Sequence, residues 1–147
     1  MNKLLDAVEQ GDLTQARSLL EAGANAHEGG WGMSIISEAF DRRDEQMVRL
    51  LMDFGAIFAV DDQGRTELHR AASAADDPEP IEFLLRLGLN ASETDRDGWT
   101  PLHCAAAYGY GHVAAALRAA GANPQATTNE GQRPADLARV NGHSGFE

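Results

Sequence analysis

Apolar residues in this chain recur three and four positions apart over short stretches, and each stretch is closed by a glycine or a polar break. After Thr100-Pro101, residues Leu102, Ala105 and Ala106 fall on one helical face, and Gly109 interrupts the run. Val113, Ala116 and Leu117 then make a second stripe, closed by Gly121. A threonine hydroxyl can accept from an orphan helix N–H, and proline fits the first helical position, so Thr100-Pro101 predicts a helix start. A glycine free to adopt positive φ predicts its stop. Two helices this short cannot bury their faces alone and need neighbours.

The same unit recurs. Gly23, Gly55, Gly88 and Gly121 each follow an apolar run, at spacings of 32, 33 and 33 residues. The segment Thr100-Pro101-Leu102-His103-Cys104-Ala105 returns as Thr66-Glu67-Leu68-His69-Arg70-Ala71. A period near 33 with Thr-Pro-Leu-His-x-Ala marks the ankyrin signature, and over essentially its whole length the chain resembles the ankyrin repeat family. The resemblance implies an all-α solenoid of stacked helix-turn-helix units, with β-hairpin fingers whose tips carry Gly64, Gly98 and Gly131. It also implies a concave binding face lined by the fingers and the first helices. Within a single domain over 1–147, the repeats divide as 1–28 (an N-terminal cap with Asn2 starting the first helix), 29–60, 61–94, 95–128 and a truncated 129–147.

The second repeat departs from the pattern. Ser34 stands for the capping threonine, Ile35 for proline, Ser37 for histidine and Arg43 for the inter-helix glycine. Phe40 occupies the position of Ala72 and Ala106, where it must push helices apart or fill a gap. The third repeat holds one residue more than the fourth, an insertion that falls between Ser73 and Pro80, with Pro80 placed to open the second helix. The fifth repeat has a first helix from about Pro134 to Val140 and then ends. That leaves Val113, Ala116 and Leu117 without a covering helix, so an apolar flank is expected there, closed by Phe146 folding back or by a second copy.

Charge changes the picture of partners. The 147 residues carry 23 acidic against 12 basic side chains, a net charge of −11, and the basic set is Lys3 plus eleven arginines. Such a surface repels phosphate backbones, which argues against nucleic acid and anionic membranes and favours a basic protein partner. No stretch approaches the roughly 18 apolar residues of a membrane span. One cysteine, Cys104, excludes an intrachain disulfide and reads as a small core hydrophobe. These features, with Asp6 interrupting the N-terminal apolar run, point to a cytoplasmic protein.

Candidate chemistry is sparse. His69 and His103 share one slot of successive repeats, and in the family that histidine bonds within the turn that starts the helix. His27, His112 and His143 have no cysteine or carboxylate partner at zinc-ligand spacing. Asp76, Asp77 and Glu79 read as a solvated acidic loop rather than a calcium site. No metal, cofactor or catalytic residue is expected, and the chain reads as non-catalytic.

What remains is a surface for another protein. Positions that vary between repeats sit at the finger tips and after the first helices: Trp31, Met33, Asp41, Arg42, Arg65, Arg96, Asp97, Trp99 and Tyr108, with Tyr110 nearby. Tryptophan, tyrosine and arginine are enriched at binding hot spots. Trp31 stands out because Gly30 and Gly32 flank it. Trp99 packing over its own turn, and Tyr108 against a finger, are the structural alternatives. The expected function is a protein-binding module, in one version an inhibitor or immunity-type protein masking a basic partner. A regulatory adaptor and a self-associating homodimer are the alternatives, with a monomer favoured over the homodimer.

Overall fold

The computed structural model describes residues 2–29 and 34–147. Nine short α-helices and no strand occur among them: α1 (Lys3–Gln10), α2 (Leu13–Glu21), α3 (Ile35–Asp41), α4 (Glu45–Asp53), α5 (Glu67–Ala74), α6 (Pro78–Arg86), α7 (Pro101–Tyr108), α8 (Gly111–Ala119) and α9 (Pro134–Val140). They gather into two compact units, Met1–Ala59 and Val60–Glu147.

In the first unit α1 pairs with α2 and α3 with α4, while α1 lies against α3 and α2 against α4. Caps start these helices. The Asn2 side chain accepts from the N–H groups of Leu4 and Leu5 at 3.1 and 3.2 Å, and Asp12 and Asp44 accept from Gln15 and Met47 at 2.9 and 3.0 Å. Ser34 caps α3 in place of threonine. Leu4, Val8, Ile35, Ile36, Met47, Val48 and Leu51 are removed from water, and alanines at 7, 16 and 39 let the backbones approach. Each large aliphatic buried in this way contributes about 1.5–3 kcal/mol.

Two departures in this unit have visible consequences. Phe40 fills a gap: it is buried, and its ring meets Phe58 edge to face with centroids 5.8 Å apart. Arg43 takes the left-handed φ of 60° that glycine supplies at 11, 109 and 142. A side chain there costs about 1–2 kcal/mol relative to ordinary helical geometry.

In the second unit the first helices pack in the order α5, α7, α9, and α6 lies against α8. Leu68, Ile81, Leu84, Leu102, Val113 and Leu117 form the core with Ala72, Ala105 and Ala106. Thr66 and Thr100 cap α5 and α7, each in a reciprocal box with the histidine three residues on. Glu67, which replaces proline in the repeat motif, is buried and paired with Arg70. Asp136 does the reciprocal capping at α9; the Arg133 side chain bonded to it holds its carboxyl at a pKa of about 2.

The structure corrects three expectations. Helix α6 opens at Pro78 rather than Pro80, because Asp77 accepts the N–H of Glu79 at 3.0 Å and so marks the cap. The inserted loop, residues 75–77, is not simply solvated, since Asp76 is bonded to the start of α8. Val113 and Leu117 are not an exposed flank, since both are fully buried among α6 and α7, and Ala116 is half-buried. What lies open near the C-terminus is Val140, 74% exposed, with Ala115, Ala119 and Ala120. Phe146 is buried, beside a small pocket of about 160 Å³ that it lines with Pro124, Ala135 and Arg139 next to α9, and it leaves Ala115, Ala119 and Ala120 of the α8 flank exposed.

Candidate functional site

Three successive turns and the ends of three helices define a cleft of about 700 Å³ in the second unit. Each turn closes on itself by two backbone bonds, at 2.9–3.1 Å: Asp61 N–H to Arg65 O with Gly64 N–H to Asp61 O, Asp95 N–H to Trp99 O with Gly98 N–H to Asp95 O, and Thr128 N–H to Gln132 O with Gly131 N–H to Thr128 O. Each also folds around the side chain that opens it. An Asp61 oxygen accepts from Gln63 and Arg65, an Asp95 oxygen from Asp97 and Trp99, and the Thr128 hydroxyl from Glu130 and Gln132. The bond from the Arg65 N–H is the main reason that the Asp61 carboxyl lies below its usual range.

Turn is tied to turn. The Arg96 N–H donates to Gln63 O and the Asn129 N–H to Asp97 O, both at 2.9 Å, and the Asn129 amide donates to Arg96 O at 2.8 Å. Gly98 permits this approach, because a Cβ there would sit 2.6 Å from Asn129 Oδ1. So few bonds between neighbours explain why these fingers are linked turns rather than ladders of strand among the described residues.

The two motif histidines hold the turns to the helices. His103 Nδ1 accepts the Thr100 N–H at 3.1 Å, and His103 Nε2, 3.0 Å from Gln132 O, donates to it. His69 makes the same bonds to Thr66 and to Trp99 O, the latter at 2.7 Å. Each imidazole is therefore used within the scaffold, one helix start on one side and the next repeat's turn on the other. Burial is the main influence that holds the His103 pKa below its ordinary 6.5, which fits a neutral ring.

The cleft walls come from Arg65, Asp95, Asp97, Trp99, Thr128, Asn129, Glu130 and Gln132 on the turns, Ser73, Cys104, Ala107 and Tyr108 on α5 and α7, and Asn141 after α9. Trp99 is half-buried with its ring 6.3 Å from that of His103, so it packs over its own turn and still lines the cleft. Tyr108 is 56% exposed and stacks on Tyr110 at 5.5 Å and 17°. Cys104 is buried; desolvation pushes its thiol up, against a bond from the Ser73 hydroxyl. A thiol so held is a poor nucleophile.

Of the surface residues singled out in the sequence, Arg65, Asp97, Trp99 and Tyr108 meet at this cleft, and Tyr110 supports it through the stack. Arg96 is exposed on the same turn as Asp97 but does not line the cleft. Asp41 and Arg42 are exposed at the end of α3 in the first unit, with Arg42 3.9 Å from Glu38. Trp31 and Met33 lie outside the described residues. The sequence reading missed Thr128, Asn129, Glu130, Gln132 and Asn141. For the four on the turn the signal was available in Gly131, the tip glycine of a turn matching the two before it; Asn141 caps the end of α9 instead.

Among the described residues no cluster of histidine, cysteine and carboxylate side chains could hold a metal ion, and no helix is long and apolar enough to cross a membrane.

Comparison with known proteins agrees with this architecture. The chain is 33% identical over 82 residues to human protein phosphatase 1 regulatory subunit 27, covering 56% of this chain and 53% of that protein. It is 42% identical over 67 residues to the mouse RelA-associated inhibitor, covering 46% of this chain and 8% of that one. With the mouse 26S proteasome non-ATPase regulatory subunit 10 it shares 41% over 58 residues, 40% of this chain and 25% of the relative. The chain thus spans about half the length of the phosphatase subunit and a smaller part of the other two. The model of the family described as "Ankyrin repeats (3 copies)" matches residues 4–95 and 71–146, and the chain belongs to the ankyrin repeat family.

Proposed function

We propose that this chain is a non-catalytic protein-binding module whose partner presents a basic surface to the cleft of the second unit. The carrying observation is the cleft itself. It combines an exposed aromatic, Tyr108, and a half-buried one, Trp99, with three carboxylates and a single cation, in a protein of net charge −11. Hot spots favour such anchored aromatics, and charge complementarity sets the rate and specificity of encounter. The motif histidines and the cysteine are already used in packing, which favours binding over catalysis at the cleft. Masking a basic site on the partner, as an inhibitor or immunity-type protein would, is the version we favour; among the relatives, one is named as an inhibitor and two as regulatory subunits. A lone buried thiol suits the cytoplasm.

The test is affinity capture on the immobilised chain at low and high salt, followed by titration with the purified partner. Tyr108→Ala should weaken binding by about tenfold or more with unchanged melting, and Trp99→Ala should weaken it as much while also lowering the melting temperature, because that ring packs over its own turn. A partner bound equally well by both variants would remove the cleft from the interface.

A further inference from the structure

We infer that the cleft is a receptor for a single arginine side chain of the partner, held between the Tyr108 ring and the carboxylates of Asp97 and Glu130. This rests on the protein-binding reading above and specifies what the partner inserts. Three acids line the cleft, and the structure separates them. One oxygen of Asp95 accepts two backbone N–H groups of its own turn, the other lies 4.0 Å from Arg65 Nε, and its side chain is 6% exposed. That carboxylate is committed internally, and it matches the one cation of the cleft. Asp97 and Glu130 are different. Both are exposed, and among the described residues neither carboxylate has a hydrogen bond or ion pair. They stand on successive turns linked by the bond from Asn129 N–H to Asp97 O, so their spacing is held by the scaffold.

Two carboxylates without an internal partner are open to a cation, and the aromatic wall selects among cations. Tyr108 is already stacked on Tyr110, which holds its ring in place. A guanidinium is planar, stacks on aromatic faces and offers five donors in a fork that carboxylates accept in pairs. An ammonium is compact and strongly hydrated, and its three donors lack the planar fork that pairs with a carboxylate and stacks on a ring. Acceptors not already satisfied in the cleft, such as the Asn141 side-chain oxygen, suit the remaining guanidinium N–H groups.

The experiment titrates the isotopically labelled full chain with a blocked Gly-Ser-Arg-Ser-Gly peptide, observed by amide resonances. Parallel titrations replace arginine with lysine or with citrulline, which keeps the shape and loses the charge. At about 10 mM peptide even a Kd of about 1 mM is nearly saturated. The arginine peptide should give saturable shifts at the Trp99 indole and at the Asp97, Asn129 and Glu130 amides, with lysine binding several-fold more weakly and citrulline not at all. Asp97→Asn combined with Glu130→Gln should raise the Kd by about tenfold while the melting temperature holds. Absent shifts, equal shifts with citrulline or lysine, or undiminished binding by the double variant would each overturn the arginine receptor. None of these bears on whether the chain captures a protein partner, which the salt-dependent capture decides separately.

Discussion

Asp76, in the loop after α5, caps a helix of the next repeat: one carboxylate oxygen accepts the N–H groups of His112 and Val113 at 2.9 and 3.0 Å, and the other lies 2.8 Å from His112 Nδ1. Helix α8 has no side-chain cap of its own, since Tyr110 occupies that position and makes none. In the third repeat the loop therefore does two jobs, with Asp77 capping its own α6.

Asp76→Ala is expected to cost about 1 kcal/mol, the ordinary loss of a cap, as read by thermal or urea unfolding. Burial would raise the Asp76 carboxyl, but the bonds from His112 and Val113 outweigh it and hold the pKa below the usual 3.8. A carboxyl depressed in the folded state contributes stability above its unfolded value and loses it as pH falls through the folded one. The difference between wild type and Asp76→Ala should therefore be constant above about pH 5 and shrink in more acidic solution. A gap that persists at the acid end would show that the carboxylate charge is not what matters.

His103→Ala should destabilise by about 1–3 kcal/mol, because it leaves the Thr100 N–H without its partner and removes one of the two donors of the Gln132 carbonyl, which keeps the Thr128 N–H. The pH dependence has the sign set by a depressed imidazole. Protons bind the unfolded chain first, so stability is full above 6.5 and falls as pH drops from there toward the lower folded value. Melting curves of wild type and variant between pH 8 and pH 5 (an interval of about three units around the histidine range) check this. The variant should lose part of the slope.

Gly109→Ala should be worse than Gly142→Ala. Both glycines end first helices at positive φ, 74° and 79°, so each substitution carries the left-handed cost of about 1–2 kcal/mol. Only at Gly109 would the new Cβ fall 2.5 Å from the His143 ring, whereas Gly142 has nothing within 4 Å. The excess at 109 should be about 1 kcal/mol or more, and His143→Ala should relieve it in the double variant. Additive losses would mean that the ring simply swings away.

Phe40→Ala makes the second repeat look more regular in sequence and should make the protein less stable, by about 3–5 kcal/mol. The buried ring packs edge to face on Phe58, at a position that Ala72 and Ala106 hold in the later repeats. Unfolding of Phe40→Ala, Phe58→Ala and the double variant gives the coupling, expected near 1 kcal/mol.

The features legible in the sequence are those governed by neighbours three or four residues away. Asn2, Ser34, Thr66 and Thr100 cap as their side chains predict, since a cap bonds within its own first turn. The glycines at 64, 98 and 131 mark turns for the same local reason, and the 33-residue period assigns the fold. Contacts between repeats were settled only by the tertiary structure. Asp76 reaches 36 residues along the chain to His112, and His69 and His103 reach 30 and 29 residues to the next turns. No local pattern separates an acid that caps a distant helix from one left in water. Val113 and Leu117 illustrate the converse, because spacing identifies an apolar stripe but not which neighbour covers it. The cleft likewise needed three turns to be registered against one another before Asp95 could be told apart from Asp97 and Glu130. That distinction depends on who else bonds each carboxylate, and packing alone decides it.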